Sequence, residues 1–353
     1  MVAGKPESDE FELTAFGAGY GESLAIHLGG GEWLTVDCCR DKNTKRLPVL
    51  DYFDDIGVDA AIDVRLVMAS HWHDDHVSGL DSLLERCTSA QFACSAALDS
   101  EEIWALADCD ASQFNPMKRR VREFRDVLGR LADGHAGRTT PTWALELLPL
   151  YRRDHAPPCT MTALSPSHKA KTVASRAIAE LLKSGRVGRA EPNDASIVVL
   201  GHVGDASCLL GGDLETTSDP EMGWDAVIAA ATREQSLLRA NVIKIPHHGS
   251  PTAHHDGIWS ELCDDRPIGV VAPWQNAGDH RPRTEDVEYL YAHVTELFLC
   301  APAHPPDSQV DDAPRRGRPR KRNYPPMGRV TLRRRPSQDW TVDLSVPAHA
   351  CSV

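Results

Sequence analysis

Short apolar runs separated by glycine-rich turns predict β-structure in the first part of the chain. Residues 23–28 and 32–37 flank Gly29–Gly31, which is typical of a β-hairpin or meander. Residues 58–70 predict a further strand that leads directly into a histidine-rich segment. Apolar residues then recur at helical spacing over 77–87. The pattern therefore predicts strands followed by a helix, with polar residues at the junction.

Residues 98–150 have the character of a helical insertion. The stretch 117–134 predicts an amphipathic helix that ends at Gly134. Its apolar face consists of Val121, Phe124, Val127, Leu128 and Leu131. A second helix is predicted over 171–185.

The second half of the chain again predicts strands mixed with a helix, and thus an α/β fold. The predicted elements are strands at 195–203, 207–213, 241–246, 267–273 and 296–301, and a helix at 284–294. Residues 302–326 are rich in proline and arginine and predict a linker. Residues 327–353 predict a C-terminal hairpin packed on the main domain, which spans 1–301.

Composition limits the class of protein. The chain has 353 residues, 41% of them hydrophobic, which suits one large α/β domain with insertions. A formal net charge of -13 should repel nucleic acid and anionic membranes, except at a local basic patch. The N-terminus has no signal-peptide pattern and no apolar run approaches a membrane span, so we expect a soluble, cytoplasmic protein without membrane contact. The ten cysteines form no C-x-x-C pair, so most are expected to be reduced core residues.

The junction after the third strand carries candidate metal ligands in the pattern His71-x-His73-x-Asp75-His76. Residues two apart in an extended segment point to the same side, so His71 and His73 can share one metal. Asp75 and His76, at the helix start, could serve a second metal. Imidazole and carboxylate ligands suit zinc, with manganese and iron as alternatives.

Other strand ends supply further candidates. Asp37, Asp213 and the pair His247–His248 each follow an apolar run, and α/β folds gather functional groups at the carboxyl ends of strands. Asp213 could bridge two metals, or it could simply cap the following helix. The histidine pair could equally be a polar turn before Gly249.

These motifs resemble the metallo-β-lactamase superfamily, whose signature is H-x-H-x-D-H. Within it the chain looks closest to the hydrolase domain of the ComEC competence proteins and their soluble relatives, through "AFGAGYGESLAI", "LTVDCCR", "NDASIVVL", "CLLGGD" and "KIPHHGS", over about residues 11–300. The resemblance implies an αββα four-layer sandwich, here with a helical insertion and a basic C-terminal loop. It also implies a dimetal hydrolase in which a metal-bound hydroxide attacks the substrate.

The resemblance also assigns roles to residues. It makes His71 and His73 ligands of the first metal, Asp75, His76 and His248 ligands of the second, and Asp213 the bridge. His247 would lie beside the reacting group and Asp37 would orient the site, so Asp75, His247 and Asp37 are the expected catalytic residues. The third ligand of the first metal is expected to be His168, with His155 as the competitor. Tyr20, Glu22, Cys38 and Cys39 depart from the family motifs, but are expected to affect substrate choice rather than the ligand set.

A basic segment within the linker suggests a partner. Its Gly-Arg-Pro core with flanking basic residues resembles an AT-hook, which lies in the minor groove of A/T-rich DNA; a solvated basic loop is the alternative. The candidate contacts are Arg315, Arg316, Arg318, Arg320, Lys321 and Arg322. Arg329 and 333–335 are expected to extend the patch. The sequence thus predicts a phosphodiesterase, chiefly a nuclease acting on DNA or RNA. The alternatives are a dimetal hydrolase of a cyclic nucleotide, lactone or phosphocholine ester, and a DNA-binding or scaffold protein with a vestigial site.

Overall fold

Two large β-sheets form the framework of the protein. The structure, a computed structural model, describes residues 4–17, 21–99, 118–137, 140–184, 192–234, 237–276, 279–303 and 326–351. Within these residues each large sheet has eight strands, and a two-stranded sheet lies apart from them. The basic segment 315–322 lies outside the described residues.

The first sheet has the strand order β17-β16-β1-β2-β3-β4-β5-β6. Its strands are β1 (Phe11–Gly17), β2 (Glu22–His27), β3 (Trp33–Val36), β4 (Val64–Ala69), β5 (Gln91–Ser95), β6 (Thr142–Ala144), β16 (Gly328–Arg334) and β17 (Thr341–Ser345). Strands β1 to β3 form the predicted antiparallel meander, whereas β3, β4 and β5 run parallel.

The second sheet has the order β18-β15-β12-β11-β10-β9-β8-β7. Its strands are β7 (Leu148–Arg153), β8 (Cys159–Ala163), β9 (Val199–Val203), β10 (Ala206–Leu210), β11 (Ala240–Lys244), β12 (Cys263–Val271), β15 (Glu296–Leu299) and β18 (His349–Ala350). Strands β10, β11, β12 and β15 run parallel. The small sheet pairs β13 (Trp274–Asn276) with β14 (Asp279–Arg281).

Helices cover the outer face of each sheet. They are α1 (Pro48–Ile56), α2 (Ala60–Asp63), α3 (Asp74–Val77), α4 (Leu80–Arg86), α5 (Lys118–Ala132), α6 (His168–Ser184), α7 (Gly223–Arg233) and α8 (Thr284–His293). No helix among the described residues is both long and apolar enough to cross a membrane.

Three hydrophobic cores separate four layers. One packs α1, α4 and α5 on the first sheet, a second lies between the two sheets, and a third packs α7 and α8 on the second sheet. The α5 face that was predicted to be apolar contributes buried Phe124, Val127, Leu128 and Leu131. Burying each such side chain stabilises the fold by about 1.5–3 kcal/mol. The αββα sandwich expected from the sequence is therefore confirmed.

Three predicted boundaries differ from the structure. The strand predicted from residue 58 begins at Val64, because Asp59 caps the short helix α2 by accepting a hydrogen bond from Ala61 N. The region 98–150 contains helix α5 as expected, but it also supplies β6 to the first sheet and the start of β7 to the second. Helix α6 begins at His168, a little before the predicted start at 171.

The C-terminal hairpin is built into both sheets. Strand β16 pairs antiparallel with β1 along its whole length, from Phe11 opposite Arg334 to Gly17 opposite Gly328. Strand β18 then pairs with β15 at the edge of the second sheet. The tail therefore extends one sheet and closes an edge of the other.

The described cysteines fit the expectation of a reduced interior. All nine are free thiols, and eight of them are buried.

Candidate metal centre

The histidine-rich segment lies where β4 ends. The chain stays extended through His73 (φ -78°, ψ 149°) and turns into α3 at Asp74. The His71 and His73 side chains, two residues apart, meet on one side, with His71 Nε2 2.9 Å from His73 Nδ1. His71 and His76 are fully buried. The structure thus brings the His71 and His73 side chains together, although His73 belongs to none of the groups of described residues that could hold a metal.

Asp213 joins this segment from the second sheet. Residues 211–212 follow β10, and Gly212 has a φ of +51° at a place where a Cβ would lie 2.5 Å from Ser196 Oγ. Asp213 N donates to that same Ser196 Oγ at 3.0 Å. The tight glycine turn therefore brings the buried Asp213 carboxylate, 2% exposed, against the histidines.

Close contacts join two carboxylates, Asp213 and Asp75, to the surrounding histidines. Asp213 Oδ2 lies 3.2 Å from His76 Nε2, 3.5 Å from His248 Nε2 and 3.9 Å from His71 Nε2. Asp75 Oδ2 lies 3.8 Å from His76 Nε2 and 3.5 Å from His248 Nε2. His71, His76 and Asp213 form one group that could hold a metal ion, and Asp75, His76 and His248 form another.

Asp37 lies behind His76. Its Oδ2 accepts from His76 Nδ1 at 2.8 Å and from Ser70 Oγ at 2.8 Å, and its Oδ1 accepts from Ser70 N at 2.7 Å. This contact fixes the proton of His76 on Nδ1 and leaves Nε2 facing the cluster. Asp37 follows β3, which runs parallel to β4, so both strands deliver polar groups at the same edge.

His247 and His248 adopt unusual backbone conformations in the turn after β11. Their φ angles are +45° and +54°, and Asp37 has a φ of +59°. Non-glycine residues in this region cost about 1–3 kcal/mol each and persist where the surroundings hold them. His248 points inward and donates from Nδ1 to Ala272 O at 2.9 Å. His247 points to a different, half-exposed position.

A polar group surrounds His247. Its Nδ1 lies 3.1 Å from Thr252 Oγ1 and 3.2 Å from Glu215 Oε1, and its Nε2 lies 3.4 Å from Asn193 Nδ2. Asn193 Nδ2 also donates to Glu215 Oε1 at 2.6 Å. The imidazole is therefore held beside the cluster without joining it.

Buried atoms without hydrogen bonds test whether this cluster fits a metal. Among the described residues His76 Nε2, His248 Nε2 and Asp213 Oδ1 are buried and make no hydrogen bond of acceptable geometry. A buried polar atom without a partner costs about 1–3 kcal/mol. His76, His248 and Asp213 each belong to a group that could hold a metal ion, and imidazole nitrogen with carboxylate oxygen is a donor set for zinc, manganese or iron. The residues present therefore fit a divalent metal centre.

The electrostatics of the cluster also favour a cation. Burial, followed by the charge of His76, holds the pKa of His71 well below its usual value. Burial opposes a charge on His76 and on His248, yet Asp213 outweighs it and raises both pKa values far above normal, with help from Asp37 at His76. Burial would raise the pKa of Asp213, but those two histidines lower it well below normal. Metal binding should consequently displace protons.

Several predicted residues lie elsewhere. His168 is exposed at the first position of α6, and His155 is exposed in the loop after β7; neither belongs to a metal-binding group of the described residues. Cys38 and Cys39 are buried but also stand outside these groups, and Cys39 Sγ lies 3.9 Å from Ser23 Oγ.

The tail arginines, which were expected to extend the basic segment, are engaged in ion pairs. Each is paired with a carboxylate: Arg329 with Asp343 at 2.6 Å, Arg333 with Glu12 at 2.7 Å, Arg334 with Asp205 at 3.4 Å and Arg335 with Asp9 at 3.2 Å. The pairs of Arg333, Arg334 and Arg335 tie the C-terminal hairpin to the domain, whereas the pair of Arg329 lies within the hairpin.

Glu22 is a site residue that the sequence did not reveal. It departs from the family motif, yet contrary to expectation it reaches the ligand set, with Oε2 3.3 Å from His248 Nδ1. It belongs to two of the groups that could hold a metal. Glu22 forms an ion pair with Lys244. Lys244 is a charged residue within the apolar strand "NVIKI", and a lysine in such a buried strand needs a counterion.

Comparison with solved structures finds distant likenesses. A metallo-β-lactamase fold protein, YhfI from Bacillus subtilis, is 12% identical, covers 82% of this chain and 95% of its own, and has a TM-score of 0.42. The metallo-β-lactamase SMB-1, solved with 2-mercaptoethanesulfonate, is 13% identical, covers 68% of this chain and 80% of its own, and has a TM-score of 0.34. The sequence matches no protein-family model and no curated protein.

Proposed function

We propose that this protein is a metal-dependent hydrolase that cleaves phosphodiester bonds, and that its substrate is DNA or RNA. The observation that carries the proposal is the buried cluster of histidines and carboxylates in which His76 Nε2, His248 Nε2 and Asp213 Oδ1 make no hydrogen bond. Buried polar atoms without hydrogen bonds cost free energy, and a bound cation would give these atoms a partner.

The ligands divide into two sets. Asp75, His76 and His248 would hold one ion, and His71 with Asp213 would hold the other. His73 lies against His71 at 2.9 Å but belongs to neither set. When bound, such ions polarise a phosphoryl oxygen and lower the pKa of the attacking water. This chain's own residues then supply orientation.

His247 is placed to handle a proton. Its ring is half-buried beside the cluster, and Glu215 and Thr252 at Nδ1 fix its orientation. We infer that His247 transfers a proton to or from the reacting groups, a role suited to a positioned imidazole; in this structure its Nε2 accepts from Asn193 Nδ2 at 3.4 Å. Asp37 holds a proton of His76 on Nδ1, so Nε2 is the nitrogen that faces the metal position.

The choice of polynucleotide substrate depends on two features. The motifs resemble the ComEC-like branch, which points to phosphodiesters, and residues 315–322 add six basic side chains to a chain of net charge -13. A second candidate is a small phosphodiester, such as a cyclic nucleotide. It is favoured by the pairing of Arg329, Arg334 and Arg335 with acids, which removes part of the expected cationic grip.

A cleavage screen tests the proposal. The panel holds single- and double-stranded DNA, RNA, a chromogenic phosphodiester and a lactone, with and without added zinc or manganese. His247→Gln should lower turnover by about 100-fold or more if it acts as the acid. His255→Gln is the matched control. His255 pairs with Asp225 at 3.0 Å, and it belongs to none of the groups of described residues that could hold a metal.

Three outcomes distinguish the readings. Metal-dependent cleavage of polynucleotides supports the proposal, and cleavage of the small phosphodiester alone supports the second candidate. Hydrolysis of the lactone with no phosphodiester cleavage would contradict both.

A further inference from the structure

A buried ion pair bridges the two sheets beside the cluster. Glu22 is the first residue of β2 and Lys244 is the last of β11. Lys244 Nζ lies 2.8 Å from Glu22 Oε2, and the side chains are 1% and 2% exposed. A buried ion pair contributes little net stability, because desolvation offsets the attraction. Its position next to the ligands therefore calls for another explanation.

Glu22 is close enough to the cluster to act on it. Its Oε2 lies 3.3 Å from His248 Nδ1, the nitrogen that donates to Ala272 O at 2.9 Å. One Glu22 oxygen also lies within 4.8 Å of ligand atoms of Asp213 and His248. Without a restraint, the carboxylate could become a metal ligand itself.

Lys244 supplies that restraint. Its ammonium contacts Glu22 and also donates to Ile245 O at 2.9 Å, which anchors it in the strand end. His76 is positioned by Asp37 instead. Among the described residues, Asp37 forms an ion pair only with His76.

We propose that the Glu22–Lys244 pair is a positioning element of the metal centre, in which Glu22 orients His248 while Lys244 keeps Glu22 from binding the metal. The inference rests on the proposed metal centre.

Cobalt binding separates this role from simple structural support. The variants are Glu22→Gln, Lys244→Met and the double Glu22→Gln/Lys244→Met. The matched control is Glu12→Gln/Arg333→Met, which removes another buried pair, at 2.7 Å, with no contact to the cluster. For each folded variant, Co²⁺ affinity is measured by competition with a chromogenic chelator, and the visible spectrum of the cobalt form reports its ligands.

The double variant is decisive because it buries no unpaired charge. It should bind Co²⁺ about 10- to 100-fold more weakly than the wild type, the usual effect of losing a partner of a metal-ligating histidine. Lys244→Met alone should change the spectrum, since the released Glu22 can reach the metal, and Glu22→Gln should resemble the double variant. The control should keep the wild-type affinity and spectrum.

Two results would overturn the inference. If the double variant binds Co²⁺ as the wild type does, the pair is structural only. If the control weakens Co²⁺ binding as much as the double variant, the effect belongs to stability and not to position. A wild-type protein that binds no Co²⁺ at all would instead remove the metal centre, and with it the proposed function.

Discussion

Replacing Asp37 by asparagine tests how the cluster keeps its ligand atoms available. The amide has nearly the shape of the carboxylate, but one oxygen becomes an NH₂ donor. Asp37 is 1% exposed and accepts hydrogen bonds from Ser70 N, Ser70 Oγ and His76 Nδ1, so the change cannot be absorbed by water.

Each orientation of the new amide has a cost. If NH₂ faces His76, Nδ1 must accept, and the proton moves to the metal-facing Nε2. If NH₂ faces Ser70 N, a buried backbone donor loses its partner, at about 1–3 kcal/mol. We expect Asp37→Asn to weaken metal binding about 10- to 100-fold, the usual loss for such partners, or about 1.4–2.7 kcal/mol.

Chelator competition on folded protein measures this loss. Asp81→Asn is the control, since Asp81 pairs with Arg130 at 2.8 Å on a half-exposed surface, where a pair contributes about 0–1 kcal/mol. Asp81→Asn should bind metal normally. Wild-type metal affinity in Asp37→Asn would refute the idea that this carboxylate sets the His76 proton.

Three further changes test separate parts of the account. His248→Ala should lose metal from the second site while His247→Ala keeps its metal and loses turnover; elemental analysis showing the reverse would mean that the two roles are exchanged. Changing the six basic residues of 315–322 to alanine should flatten the slope of log DNA affinity against log salt, roughly -4 to -5 for about four to six phosphate contacts, and an unchanged slope would make the segment a solvated loop. Gly17→Ala should destabilise the fold by about 1–3 kcal/mol, because its Cβ would lie 2.7 Å from Ala272 Cβ; an unchanged urea midpoint would contradict that packing.

The ligand cluster could be predicted because its coordination rule is local. The spacing of His71, His73, Asp75 and His76 at a strand-to-helix junction fixes which side chains share a side. Asp213 and His248 could be added because parallel strands bring their carboxyl ends to one edge, and β10 and β11 do pair in parallel.

What could not be predicted depends on contacts between distant parts of the chain. Glu22 and Lys244 are 222 positions apart in sequence, and only the packing of β2 against β11 makes them a pair. The same holds for Arg333, which the sequence shows as one of three consecutive arginines and the structure pairs with buried Glu12. His168 was expected to be a metal ligand because it follows a strand and a proline. That pattern does not determine whether a side chain is buried, and His168 is exposed.

Metal content tests the central claim most directly. Protein purified without chelator should contain about two transition-metal ions per chain by plasma emission, as expected for a dimetal hydrolase site. The apoprotein should recover that content when zinc or manganese is added. A reproducible content near zero that neither metal restores would contradict the account.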